Sequence, residues 1–318
     1  MYNGLYHTLI GASHLAKGTI CQDASEFRST ERYAVAVVAD GHGSKRHFRS
    51  DIGSKLAVMS CLEAVNYYLD ESEEFEESLM ADPKALIRKI EKYIIWRWNK
   101  AVRAHAADNP FTEQEKLPFT EEKFKELRLE SIYGTTLICA VLSEDYTFGM
   151  QIGDGSLVVI DEDGEADMPI VDDESAPANL TASLCNSNAI DLFNDFFIAD
   201  QALAVFVSTD GLYTSFRSSE DFLDYHSIIA SHLDKPRAFD TIVLRNLEKR
   251  THYGTQDDIS FACAYEEERI KQSIDALKSQ VERNKLRAEI RHAEAKAKIE
   301  KQRLKNTMHL REDSSAVS

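Results

Sequence analysis

The chain lacks the features that mark a membrane, secreted or nucleic-acid-binding protein. No apolar run approaches the roughly 18 residues that cross a bilayer, and the opening MYNGLYHTLIG has neither the basic start nor the long apolar core of a signal peptide. The expectation is a cytoplasmic protein without a membrane contact. The five cysteines (Cys21, Cys61, Cys139, Cys185 and Cys263) are odd in number, scattered and without a CxxC pair. That excludes a disulfide framework or a cysteine zinc site and suits small reduced core residues, with Cys21 as the one open to a reactive role. Positive charge is short as well: 37 Lys and Arg face 54 Asp and Glu, a net charge of −17 that argues against general nucleic-acid or anionic-membrane binding. With 43% apolar residues in 318, the chain can still bury a sizeable core, as one large domain or two smaller ones.

What is present is a recurring pattern of acidic residues at the ends of apolar strands. Ala34 to Ala39 form a short continuous apolar run that leads directly into Asp40-Gly41-His42-Gly43. Gly41 and Gly43 let the backbone turn sharply there, so that Asp40, the Gly41 carbonyl and His42 converge. Asp-Gly after a strand is equally an ordinary turn. The pattern recurs, however. Ala202 to Thr209 end in Asp210-Gly211, a hairpin over Thr147 to Ile160 carries Asp154 at its tip, Asp257-Asp258 precede the strand Ile259 to Tyr265, and Gln22-Asp23 precede a short polar link into the Tyr33 strand. Several carboxylates mounted on rigid strands are what oxygen ligation of hard cations requires.

Taken in order, GASHLAKGTICQDA (Gly11 to Ala24), VVADGHG (Val37 to Gly43), YGTTL (Tyr133 to Leu137), IGDGS (Ile152 to Ser156), VSTDGLY (Val207 to Tyr213) and GTQDDIS (Gly254 to Ser260) resemble the metal-dependent serine/threonine phosphatases of the 2C type, over about residues 5 to 265. The Cys-Gln-Asp-Ala of the first segment looks most like the bacterial branch. The resemblance implies an α+β fold, a four-layer α-β-β-α sandwich of two mostly antiparallel sheets flanked by helices, with metals at one end of the sheets. It implies hydrolysis of phosphoserine and phosphothreonine in proteins by a water that two metals activate, counteracting a bacterial protein kinase. The partner would be a phosphorylated protein, a kinase or a kinase target. In this reading Asp40 bridges two Mn²⁺ or Mg²⁺ ions, the Gly41 carbonyl binds one of them, and Asp210 and Asp257 bind the other. Asp23 and Asp154 stand behind these ligands or hold a third ion, Gln22 is at best a neutral ligand that weakens one metal site, and His42 is the general acid.

Three positions depart from the family pattern. Gln22 stands where relatives usually carry Glu, Gly18 where they carry a phosphate-clamping Arg, and Asp258 where they carry Asn. His14 and Lys17 are the candidates to replace the clamp. These departures keep a second function open, a weak or inactive phosphatase-like scaffold that holds metal or phosphoprotein and recruits a partner through its C-terminal helix.

The rest of the chain divides near residue 265. Residues 1–265 form the expected phosphatase-like domain, and 266–318 a charged helix and disordered tail. From Glu266 to Asp313 there are 13 Lys and Arg against 10 Asp and Glu, and no Pro or Gly up to Asn306. Its narrow apolar stripe suits a coiled coil or partner helix over 266–312, or equally a helix lying on its own domain. Upstream, Asp51 to Tyr68 and a stretch from Asp82-Pro83 to about Ala107 have helical spacing, with Trp96 assigned to a wide apolar face and Leu69 to Ala81 to an acidic loop. Residues 108–130 read as an insertion, a lid or docking surface.

Overall fold

The computed structural model describes residues 1–70, 72–170 and 181–315, and side chains except those of 72, 73 and 302–315. Two antiparallel five-stranded sheets face each other. One has the order β1 (Tyr2–Leu9), β10 (Ile259–Glu266), β9 (Ala204–Ser208), β6 (Ser156–Ile160) and β7 (Ala166–Asp167). The other has the order β2 (Ala24–Ser29), β3 (Tyr33–Ala39), β4 (Leu137–Ser143), β5 (Thr147–Ile152) and β8 (Asn194–Ile198).

The central strands read as continuous apolar runs because both of their faces are buried. Ala34, Ala36 and Val38 meet Val205, Val207, Ala262 and Ala264 between the sheets, and the small side chains let the two layers approach. The alternate residues Val35, Val37, Cys139 and Val141 point outward to α2 (Ser50–Asp70) and α4 (Pro83–Asp108). On the far side Phe206, Phe261, Cys263 and Tyr265 pack against α9 (Ser219–Ala230) and α10 (Pro236–Tyr253). This is the α-β-β-α sandwich expected above.

Helix α4 starts where Asp82-Pro83 predicts, with the Asp82 carboxylate accepting from the Ala85 amide and Pro83 in the first turn. Its stripe Leu86, Ile90, Ile94, Trp98 and Val102 is fully inward, and Trp98 Nε1 donates to the Gly53 carbonyl at 3.0 Å. Trp96 is a correction. Two residues from Trp98, it lies on nearly the opposite side of the helix, is 52% exposed and stacks on Tyr93.

The segment assigned to an acidic loop is also helical. Helix α2 continues to Asp70, and α3 (Ser72–Ala81) is anchored by buried Phe75 and Leu79. A pair of apolar residues four apart was enough to hold it. The polar link before Tyr33 is strand β2, paired with β3 from Ala24↔Ala39 to Ser29↔Ala34. It reads as polar because it is a half-exposed edge strand, and β1, at the edge of the other sheet, has the same character.

The insertion folds into α5 (Glu113–Lys116), α6 (Glu121–Lys125) and α7 (Leu129–Ile132). Helix α11 (Glu267–Ser315) leaves β10 without a loop. Its first half lies on its own domain, with Ile270 and Leu277 buried and ion pairs Arg269–Glu162 at 2.7 Å, Arg287–Glu165 at 3.0 Å and Arg291–Asp224 at 3.0 Å. Residues 292–301 are all exposed. The last three residues of the expected tail, and much of the looser stretch before Asp191, lie outside the described residues. Among the described residues no helix is long and apolar enough to cross a membrane.

Candidate metal centre

At one end of the paired sheets, loops after β3, β5, β9 and before β10 enclose a cavity of about 310 Å³. Asp23, Asp40, Asp154, Asp210 and Asp257 all line it, together with Gln22, Gly41, His42 and His14. Nine of the ten residues singled out in the sequence thus meet in one place. Lys17 does not: it is exposed at the end of α1 (Ala12–Lys17) and is not part of the lining.

The Asp40 turn is fixed by the YGTTL segment, whose purpose the sequence left open. Thr136 Oγ1 accepts from the Asp40 amide at 2.9 Å, while the Asp40 carbonyl accepts from the Thr136 amide and Thr135 Oγ1, each at 2.8 Å. Gly41 follows so closely packed that a Cβ there would sit 2.5 Å from the Gln22 carbonyl oxygen and 2.7 Å from that of Ser50. Among the described residues nothing donates to the Gly41 carbonyl. Asp210 opens α8 (Asp210–Tyr213), the first turn after β9. Asp257 follows Gln256, which holds a left-handed backbone at φ 63°, a strained arrangement for a side-chain-bearing residue beside a site.

The neighbouring pair Asp257-Asp258 divides by environment. Asp258 is buried and ties loops together, accepting from the Gly11 amide at 2.7 Å and the Gln22 amide at 2.8 Å, with His14 Nδ1 at 2.9 Å. Asp257 keeps an exposed carboxylate that faces the cavity. His14, Asp257 and Asp258 bring ligand-capable atoms within 4.8 Å of one another, which places His14 among carboxylates. Gln22 Nε2 donates to Ser50 Oγ at 2.8 Å. Gly18 caps α1 in the left-handed region at φ 66°, so the position that relatives give to Arg is here a helix terminus.

Electrostatics follow from this crowding. Burial raises the Asp40 carboxyl well above the usual range, and the charges of Asp23 and Asp210 and a hydrogen bond with Asp210 raise it further. Burial also raises Asp23, although Thr209 Oγ1 donates to it at 2.8 Å. Asp210 is pushed up to about 6, by burial first and by Asp154 next. His42 is lowered to about 4, mainly by burial and then by the charge of His47, whose ring centroid is 5.0 Å away. Burial and then the charges of Asp258 and Asp23 push the Cys21 thiol up, which disfavours the thiolate that a reactive role would need.

No lysine or arginine lines this cavity among the described residues. Like charges held together without a cationic side chain, and an unused carbonyl among them, suit hard divalent cations with oxygen ligands. Thr135, Thr136, Thr209, Asp258 and His47 are positioning groups that sequence reasoning missed. Only the motif context of YGTTL and VSTDGLY and the second Asp of GTQDDIS pointed towards any of them.

The protein phosphatase 2C family model matches residues 10–249. Serine/threonine-protein phosphatase 3 of Escherichia coli (strain K12) is 26% identical over 213 residues, which is 65% of this chain and 72% of that protein. Among solved structures, the serine/threonine phosphatase Stp1 from Staphylococcus aureus is similar with a TM-score of 0.51 and 15% identity, over 84% of this chain and 95% of that one. The Mycobacterium tuberculosis serine/threonine phosphatase PstP/Ppp is similar with a TM-score of 0.50 and 14% identity, over 83% and 98%. At such identities the structures share the fold.

Proposed function

Since the chain belongs to the protein phosphatase 2C family, we propose that its carboxylate cavity holds two Mn²⁺ or Mg²⁺ ions and hydrolyses phosphoserine and phosphothreonine in proteins, counteracting a bacterial protein kinase. The observation that carries this reading is the meeting of Asp40, Asp210 and Asp257, remote in sequence, on one cavity wall without a cationic side chain. Divalent cations bound there neutralise phosphoryl oxygens and acidify a water, the two most costly parts of phosphomonoester hydrolysis.

The residues of the chain then have separate tasks. Asp40, held in register by Thr135 and Thr136, would be a ligand to both ions. Asp210 and Asp257 would hold one ion and the Gly41 carbonyl the other, with Gln22 at best a neutral ligand, while Asp23 and Asp154 would orient the ligands or take a third ion. Asp258 positions Asp257 by tying the Gly11 and Gln22 amides. His42 lies on the wall that this cavity shares with the adjoining cleft, where it can hand a proton to the departing serine or threonine oxygen. Burial holds its pKa down, so a phosphate's negative charge beside it would favour the protonated form that this role needs.

The second reading, retention of metal or phosphoprotein without turnover, draws on Gly18 and Gln22. One experiment separates the two. Purified protein is given an aryl phosphate in Mn²⁺, with and without a chelator. Chelator-sensitive turnover supports the enzyme, whereas Mn²⁺ binding without turnover supports the scaffold. The exposed face of α11 is proposed as the place of self-association or of a helical partner.

A further inference from the structure

A second cavity, about 780 Å³, opens from the metal cavity and shares His42, His47 and Thr181 with it. Arg46 lines it from the loop after β3, and Lys123 and Arg128 from the insertion, with Glu126 the only carboxylate in the described lining. Three exposed cations therefore meet one acid, in a chain whose net charge is −17. Nearby cations are paired: Lys116 with Glu113 at 2.8 Å, Lys125 with Glu121 at 2.6 Å and Arg103 with Glu130 at 3.2 Å. Arg46, Lys123 and Arg128 have no ion-pair partner among the described residues. The cleft continues past Arg128 into a further hollow of about 420 Å³, where Lys92 adds positive charge and Arg103 is paired with Glu130.

The wall that carries Lys123 and Arg128 is built rather than draped. Buried Arg49 holds it with a two-pronged contact to Glu115, at 2.6 and 3.0 Å, and donates to the Asn109 carbonyl at 2.8 Å and Tyr133 Oη at 2.9 Å. Phe48, Phe111, Phe119 and Phe124 pack edge to face and in stacks beneath it, with centroids 5.6–6.4 Å apart. Thr112 closes a capping box on α5, and Thr120 caps α6. The 108–130 insertion is thus a fixed surface.

We propose that this cleft docks an acidic stretch of the substrate protein next to its phosphorylated residue, so that the preferred substrates are Asp/Glu-flanked phosphosites. The proposal rests on the phosphatase reading, since it is the metal cavity that receives the phosphate. Chain running away from a phosphate held there passes the His42 and His47 wall and enters a surface of opposite charge. The field of the whole protein repels an acidic peptide at long range. Inside a Debye length, about 8 Å at physiological salt, the cleft's own cations dominate.

The test uses two fluorescein-labelled phosphoserine peptides of equal length, one flanked by Asp and Glu and one by Lys. Anisotropy is recorded with chelator present, so that the readout does not depend on turnover. The expected result is binding of the acidic peptide about tenfold or more tighter at low salt, with the preference falling as salt is added. In Lys123→Glu/Arg128→Glu the ratio drops to about one or inverts. Because the ratio is taken within one protein, a general loss of affinity cancels. Equal binding of the two peptides by the unaltered protein, or an unchanged ratio in the charge-reversed protein, overturns the proposal. Aryl-phosphate turnover in Mn²⁺ is measured alongside. Turnover without peptide selectivity sinks this inference alone, and selectivity without turnover sinks the hydrolytic reading alone.

Discussion

The two adjoining cavities are built in opposite ways. The smaller is acidic and made from strand ends, where Asp40 directly follows β3, Asp210 lies two residues after β9 and Asp257 lies two residues before β10. The larger is basic and made from loops and short helices, with Arg46, Lys123 and Arg128 on pieces that depend on one another for their place. A site that binds ions needs ligands fixed on rigid strands, whereas a surface that selects a flexible peptide tolerates exposed side chains spaced along a wall. The difference predicts that the two can be damaged separately.

The largest effect falls on the acidic side. Asp40→Asn removes the carboxylate proposed to bridge the ions and with it several kcal/mol of transition-state stabilisation, so aryl-phosphate turnover in Mn²⁺ should fall about a thousandfold or more. Acidic-peptide binding in chelator should stay within about twofold, because Asp40 does not line the cleft. A parallel loss of both would show that the cavities are one functional unit. On the basic side, Arg49→Met strips the clamp, leaving Glu115 with only its Thr112 donors and Tyr133 Oη with only its contact to His105 Nδ1. Urea unfolding should register a loss of about 3 kcal/mol, with the peptide preference weakened in the folded protein. An unaltered urea midpoint would mean that the insertion is held mainly by its phenylalanines.

Acid provides a finer probe of the same clamp. Hydrogen bonding from Arg49 lowers Glu115 from 4.5 to about 2. A carboxyl whose folded value is depressed contributes stability above its unfolded value and loses it as pH falls. The clamp should therefore weaken between about pH 4.5 and 2, and Arg49→Met should remove that part of the acid dependence. Identical acid profiles for both proteins would contradict it. The smallest effect concerns Gly18→Arg. A left-handed position resists a side chain, so about 1 kcal/mol of stability should be lost. Affinity for aryl phosphate should not improve, since Gly18 does not line the metal cavity.

The acidic cavity was legible in the sequence because continuous apolar runs ending in Asp need no distant information to be read as strands with carboxylates at their tips. Edge strands β1 and β2 were not, since half-exposed strands carry polar residues whose pairing is settled only by the neighbour. Helix α3 was hidden for a related reason, its two buried side chains being outnumbered by acids. The choice of Asp257 over Asp258 as the facing carboxylate rested on resemblance, and the structure supplies a physical reason in the two amides that occupy Asp258. Of the basic cleft, only the 108–130 insertion was read, as a lid or docking surface, and none of its cations was singled out. Its cations come from positions 46, 123 and 128, and nothing in their local sequence tells a paired surface lysine from an unpaired one.

Calorimetric titration of Mn²⁺ into the full chain at neutral pH, repeated with Asp40→Asn, tests the central claim most directly. The account predicts saturable uptake of about two ions per chain, with at least one lost when the bridging carboxylate is removed. Absence of saturable binding, or a titration of Asp40→Asn that superimposes on that of the unaltered protein, would contradict it.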